Sequence, residues 1–138
     1  MAAGKHAKRT PTTAFVTGNA SVDADRIGRG GWILGSFFDA RADSDRNVEE
    51  LEVKWWSFQP GEEGSHSTKT SETVEWTMLL SGRVTATLDG EETELAAGDY
   101  VLIRPGTVNN VVSQVLEPTT GITVKAPSDP TAKQVLPA

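Results

Sequence analysis

The chain of 138 residues contains no cysteine. Disulfide stapling, thiolate zinc sites and cysteine nucleophiles are therefore excluded. Histidine is nearly as scarce, since His6 and His66 are the only two. Long apolar runs are missing too. None approaches the roughly 20 residues that a helix needs to cross a bilayer, and no apolar run precedes Pro11 as a secretory leader would require. The expectation is a cytoplasmic protein without membrane contact. A convincing helical period is also lacking. Residues 39–50 (DARADSDRNVEE) are the best case, and they are polar on nearly every face, which suits a loop or a single turn. There is no internal repeat and no serine elbow. The run Gly28-Arg29-Gly30-Gly31 lacks the strand-loop-helix setting of a phosphate-binding loop.

What remains suits one globular domain, long enough to bury a core without staples. The net charge of −6 is unevenly spread. Residues 1–13 carry Lys5, Lys8 and Arg9 with no acid, so the rest of the chain carries −9. Residues 49–94 hold eleven acidic side chains against Lys54, Lys69 and Arg83. Such a body repels phosphate backbones, and nucleic acid is not an expected partner. Residues 1–13 read as a flexible basic tail, residues 14–127 as the folded domain and residues 128–138 as a second tail.

The folded part is a series of short strand-like segments separated by turn residues. They cover residues 14–17, 31–38, 51–58, 74–80, 83–88, 91–95, 100–103, 108–114 and 121–126. In residues 83–88, Val84, Ala86 and Leu88 share one face, with Thr85 and Thr87 on the other. Asp89-Gly90 is the strongest hairpin signal. Eight or nine short strands with no helix predict an all-β sandwich or barrel.

Two segments resemble the cupin family. The first runs from Pro60-Gly61-Glu62-Glu63 through His66 to Glu75, with Gly82 seven positions later. The second is Gly98-Asp99-Tyr100 through Pro105-Gly106 to Asn109. The chain is most similar to small bacterial cupins with the strand Gly31-Trp32-Ile33-Leu34-Gly35, the strand Glu52-Val53-Lys54-Trp55 and a Gly98-to-Gly106 turn. The resemblance implies a single-domain jelly-roll β-barrel with an internal pocket. It also implies a metal held by three histidines and a glutamate, and here the sequence departs from the family. Counted back from Glu75, the first two histidine places fall on Thr68 and Thr70 or, one residue on, on Lys69 and Ser71. The third falls on Asn109. Threonine and asparagine are weak neutral ligands, so the expectation is a pocket without metal or cofactor. A slipped set of His66, Glu72, Glu75 and Asn109 is the alternative for a divalent ion.

If the family register holds, Glu75 and Thr77 face the barrel interior, where Glu75 is a general acid or base; the alternative is a solvent-exposed strand residue, or one hydrogen-bonded to Lys54 or Arg104. His66 is either a proton shuttle or an exposed loop residue. Asn109 either bonds a ligand or closes its own turn. Trp55 and Trp56 point opposite ways on one strand, and Trp56, with Lys54 and Phe58 on its face, is assigned to the pocket. The expected ligand set is thus Lys54, Trp56, Thr68, Thr70, Thr77 and Asn109, with Glu75 and His66 as catalytic candidates. A small organic ligand and a homodimer formed through an outer sheet complete the expectation. Two uses of the pocket stay open. One is a binding module. The other is a metal-independent isomerase, lyase or cyclase.

Overall fold

The computed structural model describes residues 14–62 and 68–137. Two five-stranded antiparallel sheets face one another as a jelly-roll barrel. The strands are β1 (Trp32–Leu34), β2 (Glu52–Phe58), β3 (Lys69–Ser71), β4 (Val74–Ser81), β5 (Arg83–Leu88), β6 (Glu91–Ala96), β7 (Tyr100–Ile103), β8 (Asn109–Val115), β9 (Thr119–Ala126) and β10 (Lys133–Val135). The first sheet has the order β1-β2-β9-β4-β7 and the second β10-β3-β8-β5-β6.

The β5–β6 hairpin turns at Asp89-Gly90, where φ is +52° and +80°. Two positive φ values in succession give the turn whose twist matches a two-stranded ribbon, and only glycine and a few short polar residues accept them readily. The inner face of the first sheet is built in rows. Glu52, Lys125 and Glu75 are neighbours across β2, β9 and β4, followed by Lys54, Thr123 and Thr77, then by Trp56, Gly121 and Leu79. Polarity thus falls along the barrel, from a charged row to an apolar one.

The apolar row joins the core. Trp56, Leu79, Val84, Ala86, Leu95, Ile103 and three valines of β8 form one buried cluster. Gly121 lets Trp56 lie flat on the sheet. A Cβ at position 121 would stand 2.1 Å from the indole Cζ2. In β8 the pairing to β5 slips, so that Val111, Val112 and Ser113 together stand opposite Ala86. This bulge turns the consecutive Val111 and Val112 both toward the interior, where both are buried.

The structure corrects the sequence reading in four places. Residues 14–17 are exposed and form no strand. Residues 20–27 form a helix, α1 (Ala20–Ile27), where none was expected. Asn19 caps it by accepting from the Val22 N–H at 3.1 Å, and Gly28 closes it at φ +66°. Two turns are too short to show a period in a polar sequence. The segment 31–38 is extended only over Trp32–Leu34. Finally, the tail beyond residue 127 supplies β10, which pairs with β3. Three residues with no alternation become a strand because β3 offers an open edge.

Candidate functional site

Between the sheets lies a cavity of about 360 Å³. The first sheet contributes Trp32, Lys54, Trp56, Glu75, Thr77, Thr123 and Lys125 to its wall, all from the inner rows and β1. The second sheet contributes Lys69 and Lys133 from β3 and β10, and Asn110, Val111 and Val112 from the bulge of β8.

One chain of hydrogen bonds crosses this wall. The Trp56 indole N–H donates to Thr123 Oγ1 at 3.1 Å. The Thr123 and Thr77 hydroxyls are 2.8 Å apart. Thr77 donates to Glu75 Oε2 at 3.4 Å. An indole only donates and a carboxylate only accepts, so each hydroxyl proton is fixed in direction and points toward Glu75. From the other side, Lys69 Nζ reaches Glu75 Oε1 at 3.3 Å and Asn109 Oδ1 at 2.7 Å. Lys125 Nζ stands 3.8 Å from the same carboxylate oxygen. Glu75 is therefore buried, held by two ammoniums and a hydroxyl.

The lysines outnumber the acids on the wall. Lys54, Lys69, Lys125 and Lys133 surround the single Glu75, a formal excess of three positive charges in a chain of net −6. Burial pushes the Lys54 ammonium below its ordinary value of 10.5, and Lys133 and Lys125 push it further in the same direction. Lys69 is lowered as well, because burial outweighs the pull of Glu75. Trp32 offers its ring to two of these cations. Lys54 Nζ lies 5.6 Å and Lys125 Nζ 5.7 Å from its centroid. Farther in, Trp56 stacks on Phe58 with centroids 5.3 Å apart and planes 25° from parallel, which gives the cavity a flat aromatic wall.

Of the residues singled out from the sequence, Lys54, Trp56, Glu75 and Thr77 meet on this wall, together with Phe58. Asn109 is buried behind it, and its amide N–H groups donate to the backbone carbonyls of Lys69 at 3.3 Å and Thr107 at 3.1 Å. It orients Lys69, while its neighbour Asn110 faces the cavity. Thr68 and Thr70 are corrected. Thr68 is exposed, Thr70 is half-buried opposite Gln134, and neither lines the cavity. Lys69 shares the odd-numbered parity of Glu75, with the buried Ser71 and Thr73 between them, so Lys69 takes the inward place and the even-numbered Thr68 and Thr70 do not. Glu72 is exposed and does not converge with Glu75. His66 lies outside the described residues.

Sequence reasoning reached Lys69 only as the alternative register of a motif place, and it missed Thr123, Lys125 and Lys133. For two of the missed residues a signal was present. In β9, Gly121, Thr123 and Lys125 alternate onto one face, and a glycine beside a tryptophan strand marks that face as inner. Lys133 carried no signal, because β10 exists only through its pairing.

The donor set does not suit the metal that the fold brings to mind. The cavity wall offers ammoniums without lone pairs, hydroxyls, and one carboxylate already shared by two lysines. Such a wall repels a divalent cation. No three His, Asp or Glu side chains converge among the described residues. No helix among them is long and apolar enough to cross a membrane.

A model of the cupin domain matches residues 54–124, just over half of the chain. No curated protein matches it by sequence. Among solved structures, a conserved double-stranded β-helix protein from Klebsiella pneumoniae superposes with a TM-score of 0.55 and 21% identity, over 66% of this chain and 78% of its own. A Streptomyces nucleoside dehydratase, solved with uridine, gives a TM-score of 0.56 at 14% identity, over 67% of this chain and 73% of its own. KdgF from a Halomonas species gives 0.52 at 19%, over 60% and 74%. At these identities the likeness is one of fold. The strand order and the matched segment agree, and the chain belongs to the cupin family.

Proposed function

We propose that this cupin binds a small polar organic molecule in the cavity between its sheets, without a metal ion. One observation carries the reading. Charged and hydroxyl groups from both sheets converge on a cavity of about 360 Å³ that also has a flat aromatic wall. That size and mixture are those of a small-molecule site. Structural burial alone would favour filling the space with aliphatic side chains, because drawing ammoniums out of water costs free energy.

A second reading, a metal-independent isomerase, lyase or cyclase, is favoured by Glu75. Its carboxylate receives a directed hydroxyl chain on one oxygen and a lysine on the other. Lys69, with a lowered pKa, stands ready to return a proton that Glu75 removes. Glu75→Gln separates the two readings. Turnover abolished with ligand affinity nearly intact supports the enzyme. Weakened affinity with no turnover found for any bound ligand supports the binding module.

The partner chain in this proposal is a second copy of the protein. The outer face of the first sheet is apolar where an antiparallel sheet facing water is normally polar. Val74, Trp76 and Leu80 of β4 lie beside Tyr100 and Leu102 of β7 and Ile122 of β9. Tyr100 is 65% and Leu102 46% exposed. Trp55 of β2, paired with Ile122, extends the face to four strands, which at sheet spacing make a plane of about 500 Å², among the larger apolar patches of a monomer surface and more than half of what one side of a stable dimer buries. The patch carries no charge that would call for an oppositely charged partner, and stacking two such faces about a twofold axis satisfies both at once. Sedimentation equilibrium should give a dimer that Leu102→Asp converts to a folded monomer. A monomeric wild type overturns this.

A further inference from the structure

We propose that the cavity selects an organic oxyanion, a carboxylate or phosphate joined to a flat ring, with Lys54, Lys125 and Lys133 holding the charged end beside Trp32 and the ring directed along the wall that Trp56 and Phe58 form. The inference rests on the reading of the cavity as a small-molecule site and adds the class of molecule.

The four lysines are not equivalent. Lys69 has its partners, with Glu75 at 3.3 Å and the Asn109 carbonyl at 2.7 Å. Lys125 shares the same Glu75 oxygen from 3.8 Å. One carboxylate cannot neutralise two ammoniums, and it lies on the Lys69 side. Lys54 and Lys133 have no carboxylate within ion-pair distance among the described residues, and Lys133 disfavours the ammonium forms of Lys54 and Lys69. Lys54 has the Trp32 ring instead, a weak partner for a buried cation. On the wall of the first cavity positive charge is therefore in excess, and it gathers where β2, β9 and β10 come together.

A second cavity, of about 280 Å³, opens on the far side of the same group. It shares Trp32, Lys125 and Lys133 with the first and adds Arg29 together with the carboxylates Glu52 and Asp129. The cations thus form a ridge whose far side has carboxylates of its own, while the first cavity has Glu75 alone. Arg29 itself is held over the Phe37 ring, 5.0 Å from its centroid. Such a ridge matches an oxyanion, which takes charge-assisted hydrogen bonds from several donors at once. The directed chain from Trp56 to Glu75 runs alongside, so a ring anchored at Lys54 lies beside Thr77 and Glu75.

The outer charge of the protein narrows the class further. The chain is net negative, and its positive group lies inside. Screening limits the attraction to about 8 Å at physiological salt. A long polyanion meets the acidic exterior, whereas a small anion that diffuses into the mouth meets the lysines.

Isothermal titration calorimetry with benzoate and with benzamide tests this. The two probes share shape and ring and differ in charge. Benzoate is expected to bind about tenfold more tightly than benzamide, as a charge-assisted contact replaces a neutral one, and to weaken as ionic strength rises. Phenyl phosphate in place of benzoate then identifies which headgroup the lysines prefer. Lys133→Gln, at an exposed position where folding is not at stake, is expected to reduce benzoate affinity several-fold and to leave benzamide unchanged. Lys54→Met should do the same with a larger loss. Equal affinity for benzoate and benzamide overturns the anion inference and leaves the cavity reading standing. Benzoate binding that both variants leave untouched overturns it as well. Binding of neither probe up to the limit of solubility overturns both readings.

Discussion

Gly121→Ala probes the packing that shapes the cavity. The added methyl would sit 2.1 Å from Trp56 Cζ2 and 2.6 Å from Cε2 and Cη2, well inside contact distance. Trp56 has little room to yield. Its far side stacks on Phe58, and its N–H is committed to Thr123. Forcing a methyl into such a contact costs about 1–3 kcal/mol, and losing the indole hydrogen bond adds about 1 kcal/mol. The expected loss is about 3 kcal/mol, or a fall in Tm of about 10 °C for a domain of this size. Urea denaturation measures the first quantity and calorimetry the second. In a Trp56→Leu background the same glycine substitution should cost less than about 1 kcal/mol, since the coupling belongs to the contact. If Gly121→Ala alone stays within about 0.5 kcal/mol of wild type, the ordinary scatter of surface changes, Trp56 does not lie on Gly121 and the aromatic wall is misplaced.

Other perturbations have equally definite outcomes. Glu75→Gln leaves two buried ammoniums without their counter-charge. It should lower stability by about 2–4 kcal/mol, with part recovered by adding Lys69→Met, and denaturant titration of the two variants decides. The lowered pKa of Lys54 fixes a sign for pH dependence. The unfolded chain holds the Lys54 proton more tightly than the folded one. The penalty is therefore present at neutral pH and is relieved as pH rises from the lowered folded value to the ordinary 10.5. Lys54→Met should accordingly stabilise the protein at neutral pH, and the gain should shrink toward pH 10.5 in parallel thermal melts. A gain that grows with pH contradicts the burial argument. Asn19→Ala removes the cap of α1 and should cost about 1 kcal/mol. An unchanged urea midpoint would mean that the helix contributes nothing to the cooperative unit.

The features legible in the sequence are those set by local chemistry. Asp89-Gly90 marks its hairpin because both residues must take positive φ. Strand parity brings Lys54, Trp56 and Phe58 of β2 and Glu75 and Thr77 of β4 to the inner face of one sheet, because each set lies within one uninterrupted strand. Parity also favours Lys69, six residues before Glu75, over Thr68 and Thr70, which follow from the spacing of the cupin motif and not from alternation. The same motif spacing points to Asn109, which is buried behind the wall and bonded to backbone carbonyls. Features that exist only through distant pairing leave no local trace. β10 is ordered by β3 across more than sixty residues of chain, and with it comes Lys133. The charge of the cavity could not be read from composition, because an acidic chain conceals four lysines that converge from four separate strands.

The most direct test of the account uses the four tryptophans, each of which gives one indole N–H resonance. Trp32 and Trp56 line the cavity, whereas Trp76 lies on the outer face beside Tyr100 and Trp55 alternates outward from Trp56. With ¹⁵N-labelled protein, and each peak assigned by Trp→Phe replacement, a panel of small polar ring compounds is titrated in at constant protein concentration. The account predicts that a binding compound moves the Trp32 and Trp56 resonances and leaves Trp55 and Trp76 in place. Shifts confined to Trp55 and Trp76, with the cavity pair unmoved by any compound, would contradict the claim that the space between the sheets is the ligand site.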